Sequence, residues 1–191
     1  EAALEVYTRE AYPEEWARTQ NNLATAYRNR IRGEKAANLE TAIGHNEAAL
    51  EVYTRAAYPE EWAMTQMNLA TAYRNRIRGE SSANLETAIE RYEAALEVRT
   101  RAAYPEKWAM TQMNLATAYR NRIRGEKAAN VEAAIEHYEA ALEVYTRAAY
   151  PEQWAMTQNN LATAYSDRIR GEKAANVEAA IEHYEAALEV Y

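Results

Sequence analysis

The chain contains no cysteine, which excludes disulfides, thiolate nucleophiles and thiolate-held metals together. That absence fits a reducing, cytoplasmic compartment. Aspartate is nearly missing as well, with Asp167 alone, and the only histidines are His45, His137 and His183. A nucleophile, a base and a group to orient the base cannot be assembled from this stock in the usual ways, so no enzyme is expected. Glu136, His137 and Glu139 look superficially like a carboxylate site. A di-metal bundle, however, needs inward-facing Glu-x-x-His pairs, and no Glu stands three residues before any of these histidines. Each His lies one position before a core-facing residue and is expected in solvent; neither a metal nor a cofactor is expected. Five Gly and four Pro leave no glycine-rich phosphate loop. No run reaches the roughly 18 apolar residues of a membrane span, and the opening EAALEVY lacks the order of a signal peptide, so no membrane partner is expected. A net charge of −7 argues against general nucleic-acid binding, which draws most of its affinity from neutralising phosphates.

What the chain does contain is one unit, repeated. AYPEEWARTQ at Ala11 returns as AYPEEWAMTQ at Ala57, AYPEKWAMTQ at Ala103 and AYPEQWAMTQ at Ala149, a fixed step of 46 residues. Residues 59–104 and 105–150 differ at 7 of 46 positions, so the units must adopt nearly one conformation. The array divides into a partial unit at 1–12, full units at 13–58, 59–104 and 105–150, and a truncated unit at 151–191. EAALEVY both opens the chain at Glu1 and closes it at Glu185, so both ends fall inside a unit, as in a segment cut from a longer array.

Within 59–104, Pro59 suits the first position of a helix, Glu60 and Glu61 complement its positive end, and Arg74, Arg76 and Arg78 precede Gly79. The pattern predicts a first helix, A, from Pro59 to Arg78, with Gly33, Gly79, Gly125 and Gly171 as C-caps. Trp62, Leu69, Ala70, Tyr73 and Ile77 fall on its apolar arc. Asn84 reads as the N-cap of a second helix, B, which runs to about Ala102 with Leu85, Ala88, Ile89, Tyr92, Ala95 and Leu96 inward. The Trp and Tyr series is expected in the core. No segment alternates with period two.

Leu69-Ala70, Tyr73, Ala88, Tyr92 and Ala95 follow the order of the tetratricopeptide motif, with Ala for Gly and Tyr for Phe. The chain resembles that family along its whole length. The unit is longer, 46 residues against 34, which implies longer helices, and Gln66 stands where the motif has Trp. The resemblance implies an all-α, right-handed superhelical solenoid of antiparallel helix pairs. It also implies a scaffold that binds a protein partner or peptide along the concave faces of its A helices.

The side of helix A opposite the apolar arc then becomes the candidate groove. In the second unit it carries Met64, Met67, Asn68, Thr71, Arg74, Asn75 and Arg78. The third carries Met110, Asn114, Thr117, Arg120 and Asn121; Asn22 and Asn29 are equivalents in the first, and Asn160 in the fourth. A regular row of Asn pairs with the main chain of an extended peptide, and flanking Arg grips carboxylates. Alternatively these side chains fix the stagger between units, and the Met pack. The basic helix ends have a simpler reading as partners of the helix dipole and the last carbonyls.

Two further expectations concern departures from the consensus. The first unit reads Gly44-His45-Asn46 where the third reads Glu136-His137-Tyr138, which predicts the weakest unit there. Val177, Ile181, Tyr184 and Leu188, with no helix following, are expected to expose apolar surface. That leaves open a structural spacer or sensor arm that self-associates head to tail, or as a dimer, through its ends.

Overall fold

A computed structural model of the chain describes residues 2–190; Glu1 and Tyr191, the outermost residues of the partial and truncated units, lie outside the described residues. Among the described residues there are nine α-helices and no strand. They are α1 (Ala2–Val6), α2 (Pro13–Arg28), α3 (Lys35–Leu50), α4 (Pro59–Arg74), α5 (Ser81–Leu96), α6 (Pro105–Asn121), α7 (Lys127–Leu142), α8 (Pro151–Ser166) and α9 (Lys173–Leu188). They fall into two compact units, one holding α1 to α5 and ending at Val98, the other beginning at Arg99 and holding α6 to α9.

Each A helix starts as expected and stops early. Pro59 opens α4, the Tyr58 carbonyl accepts the first helical bond from Trp62 N–H at 2.8 Å, and Glu60 and Glu61 sit in the first turn. The helix ends at Arg74, not Arg78, with Asn75 as C-cap. Beyond the helix, Arg76 places its guanidinium 2.8 Å and 2.6 Å from the two oxygens of Glu40 on α3, and it stacks 5.5 Å from the Tyr73 ring. The first repeat turns at the same place, α2 ending at Arg28, with Arg30 stacked 5.6 Å from Tyr27 and no carboxylate beside it among the described residues, so the turn does not depend on the ion pair. Ile77, expected on the apolar arc, lies beyond the helix and is exposed, as are Ile31, Ile123 and Ile169.

Helix B also differs at both ends. It begins at Ser81 with Glu80 at the cap position, so Asn84 lies inside the first turn and is not the N-cap. Its buried amide instead donates back to the Arg78 carbonyl at 2.9 Å, and Asn38, Asn130 and Asn176 do the same to Arg32, Arg124 and Arg170. The glycines are therefore corners of this turn and not helix C-caps. Gly79 holds φ +80 against the Asn84 side chain, a left-handed conformation that a Cβ disfavours. Helix B stops at Leu96, well before Ala102, as Glu97 and Val98 tighten into i→i−3 bonds to Ala94 and Ala95. In the matching turn of the first repeat, Tyr53 then folds back so that its hydroxyl donates to the Glu14 carbonyl at 3.2 Å.

In the first compact unit α2 pairs with α3 and α4 with α5, and α3 packs on α4. The end of each B helix meets the start of its own A helix, and the start of B meets the end of A, so the pairs are antiparallel. Ile43, Leu69 and Ala72 form one part of the core, and Ala17, Ala49 and Tyr53 another, with Trp16 and Trp62 half-buried against it. The second unit repeats the plan with α6–α7 and α8–α9. Its core joins Ala116, Val131, Ala134, Ile135, Tyr138, Leu161 and Ala164. The Trp series is thus packed but not enclosed: Arg55 and Arg101 sit 5.9 Å and 5.8 Å above the rings of Trp62 and Trp108.

Candidate functional site

The polar stripe of helix A divides by what its side chains touch. In the first compact unit, the Thr71 hydroxyl donates to the Met67 carbonyl at 2.9 Å and accepts from the Tyr92 hydroxyl at 2.9 Å. Thr71 therefore locks α4 to α5. Asn21, one position from Asn22, is buried and donates to Thr65 across the neighbouring A helices at 2.6 Å. Asn22, Asn29 and Asn75 are exposed, and Asn29 and Asn75 are the residues at which their helices end. Met64, Asn68 and Arg74 are half-buried, and Asn68 makes no hydrogen bond among the described residues. Arg28 lies beside Arg74 and Tyr92. Burial lowers its guanidinium from the usual value, the Tyr92 phenol works in the opposite direction, and the Arg74 cation adds to the lowering.

The second unit shows the same division. Thr117 donates to Met113 O at 3.0 Å and meets the Tyr138 hydroxyl at 2.9 Å. Met110 packs against Ala109, Ala141 and Tyr145, and Thr157 lies 3.5 Å from the Met113 sulfur. Asn114 turns its amide to its own helix, on the Met110 carbonyl at 3.0 Å. Lys127 donates to the Arg120 carbonyl at 2.7 Å, Arg120 is half-buried, and Asn121 is exposed at the end of α6. Asn160 is half-buried with no hydrogen bond among the described residues.

Several contacts were not visible in the residue pattern. The histidines are not in solvent. Each is half-buried, stacked on a tyrosine of helix A at 5.4 Å (Tyr27, Tyr119, Tyr165), with Nδ1 2.5–2.6 Å from the side-chain oxygen of Gln20, Gln112 or Gln158. Arg91 takes this place in the second repeat, donating to Gln66 at 3.3 Å. Gln at the motif's Trp position is the signal that could have marked this, since a buried amide needs a partner. Burial lowers the His183 pKa, opposed by Glu139 and Glu182. Arg99 is only 2% exposed and stands where Tyr53 and Tyr145 stand in other repeats. Of the basic helix ends, Arg76 and Arg168 engage carboxylates, not carbonyls: Arg168 pairs with Glu132 at 2.8 Å, and that hydrogen bond holds Glu132 below the usual carboxylate range.

Among the described residues no three or more His, Cys, Asp or Glu gather as a metal site, and no helix is long and apolar enough to cross a membrane. Antiparallel helix pairs repeated at one sequence period define an all-α helical repeat protein. Residues 62–101, most of α4 and all of α5, match the model of the family described as Tetratricopeptide repeat. The remaining units carry nearly the same residues at the same 46-residue period, so each repeats the segment that is similar to the tetratricopeptide family. No curated protein and no solved structure matches it significantly.

Proposed function

We propose that the chain is a protein-interaction scaffold that holds an extended segment of a partner on the open part of the helix A stripe. Repeats of this family generally mediate protein–protein interaction. The observation that carries the finer reading is the state of Asn68: a half-buried amide on that stripe with both donor and acceptor unspent. Asn22 presents the same group from α2, Arg28 and Arg74 add positive charge beside it, and Met64 flanks it with an adaptable apolar surface. In the second compact unit Asn160 offers the equivalent group, while Asn114, Thr117, Met110 and Arg120 contribute to packing or line its margin.

The test replaces Asn22 and Asn68 together by Ala and compares partner capture with that of the parent chain. Neither side chain carries an internal hydrogen bond, so helicity should be unchanged and the unfolding free energy from urea titration should stay within about 0.5 kcal/mol of the parent, while capture falls tenfold or more. A large loss of stability with capture retained would make these Asn packing groups and end the groove reading. A second reading, a spacer or sensor arm that self-associates through its ends, is favoured by the apolar faces that α2 and α9 leave open.

A further inference from the structure

Helices α7 and α9 have identical sequences and different surroundings. On α7, Val131, Ile135 and Tyr138 are 0%, 5% and 0% exposed, because α8 covers them with Leu161, Ala164 and Tyr165. On α9, Val177 and Ile181 are 44% and 43% exposed, and a cavity of about 550 Å³ opens between Met156, Asn159, Tyr184, Ala187 and Leu188. The covering surface exists elsewhere in the chain. Residues 20–27 of α2 read QNNLATAY, the same eight residues as 158–165 of α8. In α2, Ala26 is exposed where Ala164 is fully buried, and Leu23, Ala26, Tyr27 and Arg30 line an open cavity of about 330 Å³.

The polar contacts match as well. Across α7 and α8, Arg168 stacks 5.5 Å over Tyr165 and donates twice to Glu132, and the Tyr165 hydroxyl donates to Glu139 at 3.1 Å. Two residues past the end of α2, Arg30 already stacks 5.6 Å over Tyr27, with no carboxylate partner among the described residues. On α9, the positions of Glu132 and Glu139 are held by Glu178 and Glu185.

We infer that α2 of one copy seats on α9 of another in the register in which α8 seats on α7, with Arg30 on Glu178 and Tyr27 on Glu185. This rests on the self-association reading and leaves the groove untouched. The two faces differ, so each contact leaves one of each free and the assembly extends head to tail. One element competes. The five residues of α1 repeat the sequence 186–190 and pack on α2, where the last turn of an incoming α9 belongs. Docking displaces α1, a single turn with little to hold it.

Sedimentation equilibrium over a concentration series tests the contact with two substitutions at exposed positions, Ile181→Glu on α9 and Ala26→Glu on α2. Circular dichroism should show both variants fully helical. The parent chain is expected to grow beyond two copies, and each variant alone to lose about a hundredfold in association, because a carboxylate is driven into an apolar contact. An equimolar mixture of the two keeps one intact pair of faces and should stop at a mass of two chains. Exchanging the ion pair provides a second measurement: Arg30→Glu and Glu178→Arg should each weaken association, and the double variant should regain it. Ala26→Glu dimerising on its own would mean that α9 pairs with α9, and would overturn the inference. Association that ignores all four substitutions overturns this contact and keeps the self-association reading, and a parent chain monomeric at every concentration overturns both.

Discussion

Asn46 shows how a single residue marks one repeat as different. At its position Tyr92 and Tyr138 are fully buried and bond Thr71 and Thr117, the contact that ties helix B to helix A. Asn46 is equally buried at 2% exposure, fills less of the space, and leaves its side-chain oxygen without a hydrogen-bond partner. A buried acceptor left unpaired costs about 1–3 kcal/mol, and the missing ring forfeits apolar burial in addition. Asn46→Tyr should therefore raise stability by about 2 kcal/mol or more, with the new hydroxyl reaching Thr25. Urea denaturation would read this as a higher midpoint at unchanged slope; a lower midpoint would mean that the first repeat has closed around Asn46. Gly44, two residues earlier, has nothing within 4 Å of where a Cβ would stand, so the helix there bears only the intrinsic cost of glycine.

At the scale of the helix and its turn, the sequence gives away the middle of each element and hides its ends. The i, i+3, i+4 spacing of Leu85, Ala88, Ile89 and Tyr92 placed all four in the core, where they are buried. The turns beyond those ends carry contacts 36 to 39 residues away, such as Arg76 with Glu40 and Tyr53 with Glu14, which no local pattern encodes. Asn130 illustrates the consequence. As an N-cap it would accept a backbone N–H, whereas it donates to the carbonyls of Arg124 at 2.8 Å and Arg122 at 3.4 Å. The two roles separate on substitution by Asp, which caps helices well but cannot donate when ionised. Asn130→Asp should cost about 2 kcal/mol or more at neutral pH, and more than Asn130→Ala, because it sets a charge against two carbonyl oxygens. The folded state raises the pKa of that Asp, so the loss should shrink as pH falls through the carboxylate range and the protonated acid donates again. An Asp variant as stable as the parent at pH 7 would return Asn130 to the role of an ordinary cap.

For the molecule as a whole, near-identity of the units turns the chain into its own control. The stripe on helix A was legible as a stripe, because Asn, Thr, Met and Arg recur at one phase. Which of them are free was not legible, because Thr71 is held by the Met67 carbonyl and by a tyrosine from helix B, and Asn68 by neither. Stability in such arrays is close to a sum of local and nearest-neighbour contributions, so a defect in one repeat need not spread. Helices α3 and α7 allow this to be measured. Each is a B helix packed by its own A helix and by the A helix that follows, and each has 16 residues. They differ chiefly at Gly44 against Glu136 and Asn46 against Tyr138, with Leu39, Thr41 and Glu47-equivalent positions otherwise conservative or unchanged. A deficit of about 3 kcal/mol local to α3 corresponds to amide exchange roughly a hundredfold faster than in α7. Native-state hydrogen exchange at low denaturant should show that ratio for the central amides of the two helices, and Gly44→Glu with Asn46→Tyr should erase it while leaving α7 unchanged. Equal protection in the parent chain would mean that the repeats open together, so that the defect is shared along the array and not held in the first repeat.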